Sequence, residues 1–311
     1  MAEPLALTIA VPTFRRPDML AGCIGSLLPQ MTESIELLVV DNDPAGSARA
    51  TVEALATPDV RYVHEPRPGV VNARNRAVAE ARGRYLAFID DDEVACPGWV
   101  GAMMRHIGQS VAASFGRVVP RFLAAPEAGL EGLLDGIYTR DLGRAQDADI
   151  SDAWIHVGTG NSLFDRMRCF PEPEPFAAHL NASGGEDVWL VRSLVARGLA
   201  IHWNPAAAVE ELVPPERASM AYLKARRRRQ GQQRIMLMRA KGGASGWARA
   251  GLWMGVGAAQ LALHGSRALL LRAAGRPAWR REAVQAQGGW GKLLWWQLGQ
   301  DRAYGGADGQ D

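Results

Sequence analysis

Four consecutive acids, Asp90, Asp91, Asp92 and Glu93, follow the apolar run "YLAFI". Like charges so close together repel, and each loses solvation where a strand enters the body of a protein. Two outcomes are open. The acids form a solvated loop that caps a helix beginning near "PGWVGAMMRHI". Alternatively, they gather a divalent cation, Mg²⁺ or Mn²⁺, a hard ion that takes carboxylate and phosphate oxygens together. A second acid pair, Glu186 and Asp187 in "GGED", opens a helical pattern. A carboxylate there suits proton abstraction from a hydroxyl, and it is also an ordinary first-turn acid. A third group, Asp41-Asn42-Asp43, closes the apolar run "IELLVV".

The elements that position these acids alternate. Strands are expected at Leu7–Thr13, Ile35–Asn42, Val60–Glu65 and Arg84–Asp90. A helix runs from Pro17, a favoured first-turn residue, to about Leu28, and another spans Gly69–Gly83. This rhythm predicts an α/β fold with a mostly parallel central sheet and helices on both faces. Ligands then bind beyond the carboxyl ends of the strands. Pro12-Thr13, Asp41–Asp43 and Asp90–Glu93 share that rim. The chain has no G-x-G-x-x-G after the first strand and no G-x-x-x-x-G-K-[ST], so a phosphate lacks a glycine-rich cradle. An acidic rim holds a diphosphate only if a cation bridges the two.

The middle is less regular: a strand at Ser114–Phe122, a helix over Glu127–Tyr138, and short strands around a glycine turn in Trp154–Met167. Gly184–Gly198 reads as a helix with acids in its first turn and arginines in its last. In "GTGNS", Asn161 is either a ligand contact or a turn residue. The six histidines show no metal-binding spacing. They read as structural or surface residues, with a place in an acceptor cleft for His156 or His202 as the alternative. The three cysteines are too scattered for a disulfide framework and read as free thiols in a reducing compartment. The N-terminal stretch lacks a basic n-region, so a signal peptide is not expected.

Charge divides the 311-residue chain. Met1–Glu216 carries 18 basic and 29 acidic residues, and Arg217–Arg281 carries 15 basic residues and no acid. The expected organisation is a catalytic domain over 1–215 and a basic, amphipathic helical region over 216–311. The second region calls for an anionic partner. Ala250–Ser266 is uncharged, at the lower edge of a membrane span, and six of the ten tryptophans lie between Trp247 and Trp296. In "RRRRQGQQR", Arg226, Arg229 and Gln230 are open to two readings, a reach into an active site or a basic face at a membrane surface.

The blocks "LTIAVPTFRRPDMLAGCIGSL", "LLVVDND", "GVVNARNRAVAEARGRYLAFIDDDE" and "GGEDVWLVRSLVARG" together resemble family 2 glycosyltransferases of the GT-A fold. The likeness is to bacterial exopolysaccharide enzymes of the succinoglycan type, over roughly Leu7–Arg239. The resemblance implies roles. Asp41 hydrogen-bonds the nucleotide base, Pro12 and Thr13 line the same pocket, and Arg74 lies near the nucleotide or diphosphate. Asp90 faces the ribose and Asp92 the metal, with Asp91 between them in the cofactor-binding set; four acids in a row leave the register of the D-x-D motif open by one. Asp187 is the catalytic base and Glu186 orients the acceptor. The implied donor is a nucleotide-diphospho-sugar, a UDP-hexose, and the acceptor a glycan or lipid-linked oligosaccharide.

One base with one metal site suits direct displacement with inversion. The expected location is cytoplasmic, peripheral at the inner face of a bacterial cell membrane, with no nucleic-acid partner. The competing readings are a sugar-phosphate nucleotidyltransferase, which should show a glycine-rich loop after the first strand, and a binding module built on the basic tail.

Overall fold

The computed structural model describes residues 5–297 except 56, 182–183 and 240–241. Eight strands form one sheet: β1 (Leu7–Thr13), β2 (Ile35–Asp41), β3 (Val60–His64), β4 (Tyr85–Phe88), β5 (Glu93–Ala95), β6 (Ala113–Phe122), β7 (Ser162–Asp165) and β8 (Ile201–Val213). The order is β3-β2-β1-β4-β7-β6-β8-β5. β3, β2, β1 and β4 run parallel. Beyond them, β7 pairs antiparallel with both β4 and β6, and β5 pairs antiparallel with β8. The parallel half is the half that the alternating pattern announced. The other pairings join strands far apart in the chain, which a local pattern does not report.

Ten helices accompany the sheet among the described residues: α1 (Pro17–Leu27), α2 (Arg49–Glu53), α3 (Val70–Glu80), α4 (Trp99–Met104), α5 (Glu131–Tyr138), α6 (Arg166–Cys169), α7 (Glu186–Ala196), α8 (Met220–Arg239), α9 (Gly243–Ala273) and α10 (Trp279–Leu293). β1 and β2 are buried on both faces because alternate residues feed two cores. Ile9, Val11, Leu37 and Val39 pack with Leu20, Ile24 and Trp99 on one face. Ala10, Leu38 and Val40 pack with Val71, Leu190 and Trp203 on the other. That is why these strands read as unbroken apolar runs.

Some boundaries differ from the sequence reading. α3 stops at Glu80, not Gly83, because Ala81 is already extended. α5 begins at Glu131, not Glu127. α7 has its acids in the first turn, but Arg197 falls at the C-cap, so the last turn holds no arginine. No described helix is long and apolar enough to cross a membrane; residues 250–266 are the middle of the 31-residue α9.

The chain clusters into two compact units. Among the described residues, one takes 5–121 together with 138–212; the other takes 122–137 and 213–297. Residues 122–137, inside the expected 1–215 domain, belong to the second unit. In that unit α8, α9 and α10 form a helical layer. Arg227 donates to Gln285 at 2.7 Å and Arg228 to Gln287 at 2.7 Å. Two of the four consecutive arginines therefore hold α10, a use that neither sequence reading supplied.

Candidate active site

The carboxyl ends of β1, β2 and β4 bring the predicted rim together in the first unit. Pro12 and Thr13 end β1, with Thr13 in register with Asp41 at the end of β2. The Thr13 hydroxyl donates to Asp91 Oδ2 at 2.8 Å. Arg16 spans the next two acids, 3.1 Å from Asp91 Oδ1 and 3.0 Å from Asp92 Oδ2. Asp91 and Asp92 are buried. Asp90 keeps 41 % of its side chain exposed, so it is the outward member of the run. Glu93 is buried and accepts from the Asp90 backbone N–H at 3.0 Å.

Arg74 links the acid run to the helix of the proposed base. It donates to Glu186 Oε1 at 2.5 Å and stands 3.7 Å from Asp90 Oδ1. Glu186 is buried and Asp187, one residue on, is half-buried. The helix phase thus assigns the two neighbours different work: Glu186 holds Arg74, and Asp187 faces the loop before β7. That loop, "GTGN", is fitted to both acids. A Cβ on Gly158 would stand 2.6 Å from Asp187 Oδ2, and one on Gly160 would stand 2.5 Å from Asp90 Oδ2. Arg140 anchors the loop by donating to Gly160 O at 2.7 Å, and its own backbone pairs with Val118.

The electrostatics follow from this crowding. Burial pushes the Asp91 carboxyl up to about 6 against the pull of Arg16, with Asp92 adding to the rise. Although part of its side chain reaches solvent, the protein packed around Asp90 desolvates its carboxyl and raises it too, opposed by Arg74 and Arg140 and reinforced by Asp92 and Asp187. Burial, then Asp90, pushes Glu93 well above the usual carboxylate range. Glu186 is raised by burial although Arg74 pulls it down. A cluster of acids held above their ordinary pKa gains when a cation arrives.

Asp41 ends β2 on the same rim. It is fully buried, its Oδ1 accepts from the Asp43 N–H at 3.0 Å, and its Oδ2 accepts from the Ala48 N–H at 2.8 Å and the Tyr62 hydroxyl at 2.9 Å. Burial, then the Asp41 hydrogen bond, raises Tyr62 to about 12, which keeps that hydroxyl a donor. Asp41 therefore braces the loop after β2. Asn42 does the same for the next loop, accepting from the Gly69 N–H at 2.7 Å and donating to Glu65 O and Arg67 O. Asn161 proves to be a buried turn residue, at φ 53° and bonded to the Trp99 indole at 2.8 Å. His156 is exposed beside α7's neighbouring turn, and His202 packs edge-on against His106.

Sequence reasoning missed Arg16, Arg140 and the two loop glycines. Arg16 had a signal, its place just past the first strand. Arg140 had none, since only the distant pairing with Val118 brings it to the site.

Among the described residues no group of three His, Cys, Asp or Glu side chains converges as a metal cage. The donor chemistry still fits Mg²⁺ or Mn²⁺ bound with a diphosphate, because such ions commonly use one or two carboxylates plus phosphate oxygens. Asp92 and the outward Asp90 supply hard oxygens, and Asp92 already attracts the positive charge of Arg16.

Residues 8–166 match the family model "Glycosyl transferase family 2". The chain belongs to glycosyltransferase family 2. It is 32 % identical over 262 residues to the succinoglycan biosynthesis protein ExoM of Rhizobium meliloti (strain 1021), covering 79 % of this chain and 80 % of that protein. It is 34 % identical over 101 residues to ExoO of the same organism, covering 32 % and 29 %. The mannosyltransferase PcManGT from Pyrobaculum calidifontis, solved with GDP-Man and Mn²⁺, superposes with a TM-score of 0.59 at 18 % identity, over 95 % of this chain and 88 % of that one. That likeness supports the GT-A fold. Family membership supports glycosyl transfer and does not favour a nucleotidyltransferase or a bare binding module.

Proposed function

We propose that this glycosyltransferase moves a hexose, with inversion, from a UDP-hexose to a glycan or lipid-linked oligosaccharide in exopolysaccharide synthesis, working as a peripheral protein at the cytoplasmic face of the membrane. The observation that carries the chemistry is the pairing of Asp90 and Asp187 with successive glycines of one loop. On this reading the donor-side acid Asp90 and the catalytic base Asp187 share a common wall. The ExoM likeness supports the exopolysaccharide setting.

In this reading, Asp187 accepts the proton of the acceptor hydroxyl as that oxygen bonds to the anomeric carbon. The bond from that carbon to the β-phosphate oxygen breaks, and its electron pair leaves with the nucleoside diphosphate. A divalent cation held by Asp92 and Asp90 would offset the charge on the leaving diphosphate. Arg16 and Arg74 add fixed positive charge on the same rim. Glu186 acts by orienting Arg74. Pro12 and Thr13 line the pocket of the nucleotide's base, where Asp41 orders the loop, and Asp91 fixes Thr13.

A donor-hydrolysis screen of the full chain across UDP-, GDP- and dTDP-sugars, with Mg²⁺, Mn²⁺ or chelator, tests this reading. Hydrolysis of a UDP-hexose that stops with chelator is expected. Preference for GDP-mannose would replace the donor, and full activity in chelator would remove the metal from the account.

A further inference from the structure

The long helix α9 has two unlike faces. One is a packing seam. A Cβ on Gly257 would stand 2.8 Å from Lys292 Cβ, and one on Gly289 of α10 would stand 2.4 Å from Gly257 O, so only glycines permit this approach. Ala250 and Ala268 are buried on the same side. At 3.6 residues per turn, Leu252, Val256, Leu263 and Leu270 fall within about 40° of one line on the opposite side. Their exposures are 69, 43, 55 and 71 %. The line is about 27 Å long. Gly251 and Gly255 flank it with open space around them. Nine of the thirteen exposed large hydrophobics among the described residues lie between Met236 and Trp296. A concentration of this kind marks an interaction surface.

Charge selects the partner. Arg217–Arg281 holds 15 basic residues and no acid, and Arg249 and Arg267 bracket the uncharged stretch. Glu282, the next acid, is buried against His264 at 2.6 Å and Arg267 at 3.8 Å. A second copy packed stripe to stripe would bring like charge to the stripe, whereas an anionic lipid surface brings the opposite sign along its whole length. No described helix can cross a bilayer, so the helix lies along the surface.

We propose that α9 rests in the headgroup layer of an anionic membrane, parallel to its plane, with Leu252, Val256, Leu263 and Leu270 inserted and Arg249 and Arg267 at the phosphates. This deepens the peripheral placement proposed above and rests on it.

Co-sedimentation of the full chain with phosphatidylcholine vesicles, with and without phosphatidylglycerol, tests it beside the Leu263→Glu/Leu270→Glu variant. Both leucines are exposed, so the variant should melt like the wild type. Wild type is expected to sediment with the anionic vesicles and to leave them as salt rises. The variant should lose at least about tenfold in partitioning, since two inserted apolar side chains are lost and two negative charges are turned toward an anionic surface. Donor hydrolysis in vesicle-free buffer should be equal in the two proteins. If neither hydrolyses donor yet their lipid binding differs as stated, the catalytic reading falls and the lipid face stands. The proposal is overturned if wild type ignores anionic vesicles or if the variant binds them equally. A wild-type dimer that the variant turns into a monomer, without lipid partitioning, overturns it as well.

Discussion

The Asp187 carboxylate lies against the bare backbone of Gly158, where an added Cβ would stand 2.6 Å from Oδ2. The atom that would have to yield belongs to the proposed base itself. Gly158→Ala should therefore spare the fold and displace the base, lowering kcat by about 10²-fold, the scale of a 1 Å misplacement. Steady-state kinetics would check this, with an unchanged KM for donor. A variant at wild-type kcat would mean that Asp187 is not held where the transfer needs it.

Gly160 makes the matching contact with Asp90, 2.5 Å from an added Cβ to Oδ2. Gly160→Ala should push on the donor side instead. The expected result is a raised donor KM and weaker nucleotide binding by calorimetry. Two glycines two residues apart would then separate the two halves of the reaction.

Replacing the base outright isolates the proton transfer. Asp187→Asn keeps the size and the first-turn position but cannot accept a proton. Loss of roughly 10²–10⁴ in kcat is the usual worth of such a group. Nucleotide affinity should stay within twofold, because in the proposed mechanism the donor is held by Asp90, Asp92 and Arg16.

How far the sequence revealed this arrangement depends on whether the cause was local. β1 and β2 were legible because burial on both faces leaves an uninterrupted apolar run. The acids were legible because acids at a strand end or helix start stand out. β8 was not, since Pro205 and the alanines after it look like a break, although they lie inside a 13-residue strand. Glu186 and Asp187 could not be told apart by composition. Their difference is one step of helix phase, which buries the first on Arg74 and leaves the second half-buried. Arg140 and the loop glycines act through partners 20 to 70 residues away in the chain. The middle of α9 read as the lower edge of a membrane span because close-packed glycines and outward leucines have the same composition as one.

Arg74 and Glu186 form a buried pair, each with 8 % of its side chain exposed. Removing one partner strands the other charge. Arg74→Met should cost roughly 3–5 kcal/mol in urea unfolding. Glu186→Gln keeps a hydrogen-bond acceptor for Arg74 and leaves Asp90, 3.7 Å away, to partner the guanidinium charge, so it should cost less. Equal costs would show that Arg74 is held mainly by other contacts.

Glu36 offers a pH test away from the active site. Burial acts to raise its carboxyl, but the Thr8 hydroxyl at 2.6 Å, the Arg82 N–H at 2.8 Å and Arg61 at 3.2 Å outweigh it and hold the pKa below the ordinary glutamate value. A depressed folded-state pKa means that the unfolded chain takes up the proton first as pH falls. The stabilisation is thus complete above the unfolded value near 4.5 and is lost as pH drops through the lower folded value. Glu36→Gln should be less stable than wild type by about 1.5–3 kcal/mol at pH 7, the range for hydrogen bonds to a charged group. The gap should narrow steadily in urea titrations taken below pH 4.5, since protonation then removes from the wild type the same charge that the substitution removes. A gap that stays constant with pH would show that Glu36 contributes through shape and neutral hydrogen bonding alone.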